Sequence, residues 1–128
     1  MFRLHVLNPV PAAVQEIRYF KDRSAMHGPL FFRFRVNEAT IEQIIEQHGL
    51  KPTRSVPDVI GVLNDRAKSQ VNWWQSSEHM AGLEKYSIWY DPRLGIGDWH
   101  TRCLFIDGHD AYFITTGFFK TDEYIVRK

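Results

Sequence analysis

The change of hydrophobic period at Asn37 constrains the fold more than any other feature of this sequence. Before it, residues 31–36 alternate as a half-buried strand does, with Phe32, Phe34 and Val36 on one side. After it, apolar residues recur at helical spacing up to the glycine that follows residue 48. A strand that leads directly into a helix predicts a folded domain of the α+β class.

The helix predicted after Asn37 covers residues 38–48. Asn37 is suited to the N-cap position, and Gly49 is suited to the left-handed stop. Its apolar face is formed by Ile41, Ile44 and Ile45. We expect these isoleucines to face the sheet that contains Phe32 and Phe34, because strand and helix follow each other directly along the chain.

The remaining elements are a second helix and several strands. Pro57 to Lys68 predicts a helix, and Phe2 to Leu7 predicts a first strand. Residues 12–22 are ambiguous, with a short helical turn that leads into a strand over 17–20 as one interpretation, and residues 72–80 are irregular or a short helical turn. The stretch 84–90 alternates again, which places Tyr86, Ile88 and Tyr90 opposite Lys85, Ser87 and Trp89.

The C-terminal part predicts a β-hairpin. Residues 99–106 and 111–118 flank Asp107-Gly108-His109-Asp110, in which Asp-Gly supplies the positive φ of a tight turn. A last short strand at 124–126 is a further alternative for the polar tail. Helices in the middle and strands at the end favour an antiparallel sheet of about four to six strands with two main helices packed on one face.

Length and composition favour one α+β domain over residues 1–128. The hydrophobic fraction of 44% supports a real core and argues against intrinsic disorder. The net charge of +1 argues against a dedicated nucleic-acid binder, which normally concentrates basic charge. No apolar run reaches membrane-spanning length and the sequence shows no signal peptide, so we expect no membrane span and a cytoplasmic location.

Three tryptophans are the candidate binding residues. Trp73 and Trp74 are neighbours in an irregular stretch, so they are expected to point in different directions. Trp89 alternates out of phase with the apolar face of its strand. Tryptophan is enriched at binding hot spots, although a buried plug at the end of the core is the more common role of such residues. We expect at least one of the three rings to be exposed.

Other chemistry-bearing residues form no catalytic or metal motif. The six histidines show no metal-binding spacing, and Asp107, His109 and Asp110 suit a turn without a metal. Cys103 in an apolar strand is expected to be a small buried hydrophobe. We therefore expect no catalytic residue, no metal and no cofactor.

The outward side of the strand at 31–36 invites a second interpretation. Phe31, Arg33 and Arg35 would lie there, and aromatic and arginine side chains on an open sheet can bind single-stranded RNA. The residues do not fit the glycine-containing motif of such domains. A face covered by solvent or by a protein partner is the preferred interpretation, and nucleic-acid binding is not expected.

A resemblance covers most of the chain in order. Phe32-Arg33-Phe34 before a capped helix, Trp73-Trp74, and a final hairpin through Ile106 and Tyr112 resemble a group of small uncharacterised bacterial proteins of the α+β class. Some members of that group are lipoproteins, but this chain lacks the lipobox cysteine. The resemblance implies no known activity.

Two functions remain open at the level of sequence. The first is a non-enzymatic interaction protein, of which an immunity or inhibitor protein is one form, with an unidentified protein partner. The alternative is a small-molecule-binding domain or minor enzyme with an aromatic cleft. Its walls would be Trp73, Trp74, Tyr86 and Trp89, with His79 or His100 as the polar group. Oligomeric state is not readable from the chain.

Overall fold

The computed structural model describes residues 6, 9–22, 29–56, 58–90 and 100–116 of the chain. The described part contains six strands and three helices. The strands are β1 (Gln15–Lys21), β2 (Leu30–Arg35), β3 (Lys51–Pro52), β4 (Glu84–Tyr90), β5 (His100–Asp107) and β6 (Asp110–Thr116). The helices are α1 (Glu38–His48), α2 (Asp58–Gln70) and α3 (Ser77–Ala81).

All six strands form one antiparallel sheet in the order β1-β2-β6-β5-β4-β3. The β5–β6 hairpin lies near the middle, and its Gly108 has the positive φ of 63° that the turn requires. The prediction of an α+β fold with an antiparallel sheet is confirmed. β1 and β3 are the two edges of this sheet.

The first face of the sheet is covered by α1, as predicted. The Asn37 side chain accepts a hydrogen bond from the Thr40 backbone N–H, and Gly49 closes the helix at a φ of 66°. Ile44 is fully buried in one cluster with Phe32 and Phe34. Ile41 and Ile45 pack against the same cluster from its margin.

The second face of the sheet is covered by α2, which corrects the prediction that both main helices pack on one face. Phe31 directly precedes Phe32 on β2, but it belongs to a separate buried cluster with Ile60 and Leu63 of α2. Adjacent strand residues point to opposite faces, so α1 and α2 lie on opposite sides of the sheet. The side of β2 expected to meet solvent or a partner is therefore core at Phe31.

Two segments that the sequence left open are now assigned. In the ambiguous stretch, a turn at residues 12–13 leads into β1, which contains the strand expected over 17–20. α3 is a helix of five residues whose N-cap is Ser76, within the stretch that had no clear period. The expected strand at 2–7 apart from Val6, the expected strand at 124–126, and the outer ends of the hairpin at 99 and 117–118 lie outside the described residues.

Candidate functional site

Trp74 is a core residue. Its side chain has no exposed surface, and its indole Nε1 donates to Asn64 Oδ1 at 3.0 Å. The ring meets Phe31 at 5.1 Å and Tyr112 at 5.2 Å between centroids, both in edge-on geometry. A buried indole with a satisfied N–H and edge-on aromatic neighbours stabilises the α2 face.

Trp73 lies at the margin of the same cluster. Its ring is half-buried and meets Trp74 edge-on at 6.0 Å. Its backbone carbonyl accepts from Arg33 Nη1 at 2.9 Å. Adjacent tryptophans thus point differently, as the sequence predicts, with one ring in the core and the other partly at the surface.

The aromatic walls of the alternative cleft lie apart. Tyr86 packs against the cluster on the α1 face, whereas Trp73 and Trp74 belong to the α2 face. Trp89 pairs with Thr101 in the β4–β5 register, and its side chain lies outside the described residues. The sheet separates Tyr86 from the Trp73–Trp74 pair, so these residues do not line one pocket. Binding at Trp73 and Trp89 stays a prediction.

A polar network surrounds the turn of the β5–β6 hairpin. Arg33 pairs with Asp110 at 3.3 Å, and its guanidinium lies 5.2 Å from the centroid of the Tyr112 ring. His79 Nε2 lies 3.0 Å from Asp107 Oδ2. These contacts tie the hairpin to β2 and α3.

The polar groups of this network stabilise the position of the β5–β6 hairpin. Burial raises the pKa of the Tyr112 hydroxyl, and the hydrogen bond from Gln75 lowers it in part. Tyr112 therefore stays protonated at neutral pH. Within the described residues, no hydroxyl or thiol is hydrogen-bonded to the His79 ring, as a nucleophile activated by that base would be. Nor do three or more His, Cys, Asp or Glu side chains meet there as a metal site would require.

Cys103 is fully buried on the α2 face. Burial raises the pKa of its thiol to about 12, and the hydrogen bond with Thr101 lowers it in part. A thiol that holds its proton this firmly is a poor nucleophile at neutral pH. The position agrees with the buried, structural role expected from the sequence.

β1 is the exposed edge of the sheet. Six of its seven residues are exposed, and Phe20 is partly buried. Ile17 is 43% exposed and Tyr19 is 41% exposed, which are high values for large apolar side chains. Among the described residues, no strand pairs with the outer side of β1. The surface that these residues present is called the β1 edge below.

The β1 edge also carries basic charge. Arg18 and Lys21 lie on β1, and Arg35 lies on the neighbouring β2 strand. All three are exposed, and none forms an ion pair with another described residue. Glu16 is the acidic residue of the strand, and it adopts a positive φ of 53° within a bulge between Gln15 and Arg18. From Arg18 to Lys21 the register is regular.

A cavity of about 410 Å³ lies between α2, α3 and the sheet. Its apolar walls include Val56, Met80 and Phe105, and its polar groups include Arg54 and Lys85. Lys85 is only 7% exposed, although the alternation of β4 predicted it on the side away from the core. The sheet is buried on both faces, and this is why that alternation misleads at Lys85.

A second cavity, of about 450 Å³, opens on the α1 face. Its acidic groups are Glu38, Glu42 and Glu84, and its apolar groups include Ile41 and Tyr86. The Tyr86 hydroxyl donates to the Glu84 carboxylate, and this hydrogen bond, together with burial and the negative charge of Glu84, raises the pKa of Tyr86. The carboxylates would repel an anion at this position.

No protein-family model, curated protein or solved structure matches the chain. No helix among the described residues has the length and apolar content that a membrane crossing requires.

Sequence reasoning missed two features that the structure brings forward. Ile17 and Tyr19 lie in the stretch whose secondary structure was ambiguous, and only the strand assignment at 15–21 shows them at an open edge. Lys85 gave no signal, because a lysine in an alternating strand normally faces solvent. The sequence already allowed a strand over 17–20, but it gave no signal that this strand lies at an edge of the sheet.

Proposed function

We propose that this protein is a non-enzymatic interaction protein that binds an extended segment of a partner protein at the β1 edge. The observation that carries the proposal is the exposure of Ile17 and Tyr19 on a strand whose outer side is unpaired among the described residues. An added strand would use the outward backbone groups of β1 for affinity and its side chains for specificity.

The distribution of exposed apolar side chains supports this position. Among the described residues, the large apolar side chains with substantial exposure are Val10, Ile17, Tyr19 and Val62. Ile17 and Tyr19 lie two positions apart in β1, Val10 precedes that strand by five residues, and Val62 lies on α2. Clustered apolar exposure marks an interaction surface, whereas single exposed residues are ordinary.

Charge indicates the chemistry of the partner segment. Arg18 and Lys21 lie on the same strand as Ile17 and Tyr19, and Arg35 lies on the neighbouring strand, so acidic side chains in the partner would be attracted. The expected partner segment is therefore extended and alternates acidic with apolar residues. An inhibitor or immunity protein that covers such a segment of its target is one form of this function.

The bulge at Glu16 also suits a second role for the β1 edge, which is protection against pairing with other sheets. Bulges and basic residues on an edge strand are also used to prevent uncontrolled pairing between sheets. The regular register from Arg18 to Lys21 leaves a short stretch free for a partner, and the bulge limits how far pairing can extend. The test below separates binding from protection.

The test uses synthetic peptides and hydrogen exchange of the native protein. The probe is an extended peptide that alternates glutamate with valine or tyrosine, and a peptide with lysine in place of glutamate is its control. We expect the acidic peptide to slow exchange of β1 amides, and the basic peptide to leave them unchanged. Failure of the acidic peptide to protect β1 at millimolar concentration contradicts the proposal.

Two matched variants locate the binding surface. Ile17→Ala removes an apolar side chain from the β1 edge without changing its charge and should weaken peptide binding about tenfold, the loss of one apolar contact. Val62→Ala makes the same change at an exposed residue of α2 and should leave binding unchanged. Equal effects of the two substitutions would place the interaction elsewhere.

A further inference from the structure

We propose that the cavity beside Lys85 is a binding site for a small organic anion, with its charged group at Lys85 and its apolar body against the cavity wall. This site lies on the α2 face and is independent of partner binding at the β1 edge.

The Lys85 ammonium is buried without an ion pair. Its Nζ donates to the backbone carbonyls of Ala81 at 2.9 Å and Leu83 at 3.0 Å. No carboxylate of the described residues pairs with it. Buried charges are normally paired, because neutral dipoles replace only part of the hydration that burial removes. An ammonium has three donors, so one remains for a further acceptor.

The cavity brings the Lys85 side chain together with apolar surface. Lys85 is one of its lining residues, and Lys85 stands directly opposite Phe105 in the β4–β5 register. Val56 and Met80 add apolar surface on the other sides. The volume of about 410 Å³ falls within the range of about 300–1,000 Å³ that is usual for small-molecule sites. A ligand with a carboxylate and an aromatic or aliphatic body would pair with Lys85 and pack against the apolar residues of the cavity.

Arg54 is a second cation in the lining of the cavity. The Thr53 backbone N–H donates to the Lys85 carbonyl at 3.0 Å, and this bond holds the segment with Arg54 alongside β4. Arg54 is exposed and has no ion pair among the described residues. Glu78 also lines the cavity and offers the opposing charge, but it is exposed to solvent. Two cations against one solvated carboxylate favour an anion.

The carbonyls of Ala81 and Leu83 give Lys85 a structural role as well. Cations are favourable at the C-terminal end of a helix; Ala81 is the last residue of α3, and Leu83 follows two residues later. If this were its whole role, an anion would gain nothing from the lysine. The experiment therefore measures whether binding depends on charge at Lys85.

The probes are benzoate, its neutral isostere benzamide and inorganic phosphate, each titrated into the native protein and followed by amide NMR. We expect benzoate to shift the Val56 and Gly61 amide resonances in a saturable manner, with benzamide and phosphate binding more weakly. Lys85→Met should weaken benzoate binding about 10- to 100-fold, the loss of one charge-assisted hydrogen bond. Lys68→Met removes an exposed lysine of α2 outside the cavity and should leave binding unchanged.

Arg54→Gln keeps the proposal testable if Lys85→Met does not fold, because Arg54 is exposed and its loss should spare the core. This variant should weaken benzoate binding and leave benzamide binding unchanged. The proposal is overturned if benzoate causes no saturable shift at millimolar concentration, if benzamide binds as tightly as benzoate, or if a folded Lys85→Met variant binds benzoate as the parent does. Phosphate binding equal to that of benzoate would overturn the organic part of the assignment.

Discussion

The two faces of the sheet are closed by different means. On the α1 face, β2 and the helix that follows it bury Phe32, Phe34 and Ile44 against each other. On the α2 face, Trp74 and Ile60 cover Phe31 of the same strand, from segments much further along the chain. The first core is formed by segments that are adjacent in the chain, and their hydrophobic period is visible in the sequence. Distant segments build the second, and its key residue, Trp74, lies where the sequence shows no period.

The comparison predicts that the α2 face is the more vulnerable to a single substitution. Trp74→Ala should lower the free energy of unfolding by about 3–5 kcal/mol, because it removes a buried ring and leaves Asn64 without its partner. Chemical denaturation of the two proteins measures this difference. Trp73→Ala is the matched control and should cost less, since that ring is half-buried. Equal costs would contradict the assignment of Trp74 to the core.

On the α1 face, the corresponding test is Ile44→Ala. Ile44 is fully buried among Phe32 and its neighbours, so we expect a loss of about 2–5 kcal/mol in the free energy of unfolding. Ile45→Ala should cost less, because that residue packs at the margin of the cluster. An unchanged denaturation midpoint and slope for Ile44→Ala would show that α1 is not packed on the sheet.

Cys103 gives the α2 face a pH dependence. Burial raises the pKa of the folded thiol from 9.0 to about 12, so in this interval the unfolded chain releases a proton that the folded chain keeps. Stability from this group is complete below pH 9 and decreases above it, by about 1.4 kcal/mol for each pH unit. The difference in unfolding free energy between the parent and Cys103→Ala, measured across this range, isolates the effect from other titrating groups.

Thiol labelling provides an independent check on Cys103. The native protein should react slowly with a thiol reagent at neutral pH, and the unfolded protein should react quickly. Labelling of the native state at the rate of a free thiolate would contradict the buried position.

The smallest expected effect concerns the local signal that defines the α1 face. Asn37→Ala removes the acceptor that caps α1 through the Thr40 N–H at 2.9 Å, and we expect a cost of about 1 kcal/mol. Asn37→Asp keeps an acceptor at the same place and should retain most of the stability. Thermal or chemical denaturation distinguishes the two variants. A cost for Asn37→Ala as large as that for Ile44→Ala would mean that Asn37 does more than cap the start of α1.

Prediction from the sequence succeeded where an element carries its own boundary signals. Asn37 and Gly49 bracket α1, and Asp107-Gly108 marks the hairpin, because caps and turns depend on local backbone chemistry. The number of helices on each face could not be predicted in this way. Phe31 and Phe32 are equally apolar, and only the positions of distant segments decide which helix covers each ring.

The candidate sites show the same division. Trp73 and Trp74 were visible as unusual residues, but their different degrees of burial follow from the packing of Phe31 and Tyr112 around one of them. Ile17 on β1 became a candidate only when the strand order placed it at an edge. Lys85 became a candidate only when α2 and α3 enclosed it.

The sequence by itself determined the elements that end in caps and turns, the α+β class and the buried character of Cys103. The tertiary structure alone decided that both sides of the sheet are core, that β1 lies at an edge of the described sheet and that a lysine is enclosed beside a cavity. Local signals act through hydrogen bonds between residues a few positions apart, so they can be recognised in short stretches of sequence. Burial of a sheet face depends on segments tens of residues away, and a short stretch of sequence does not indicate which of these segments will pack on it.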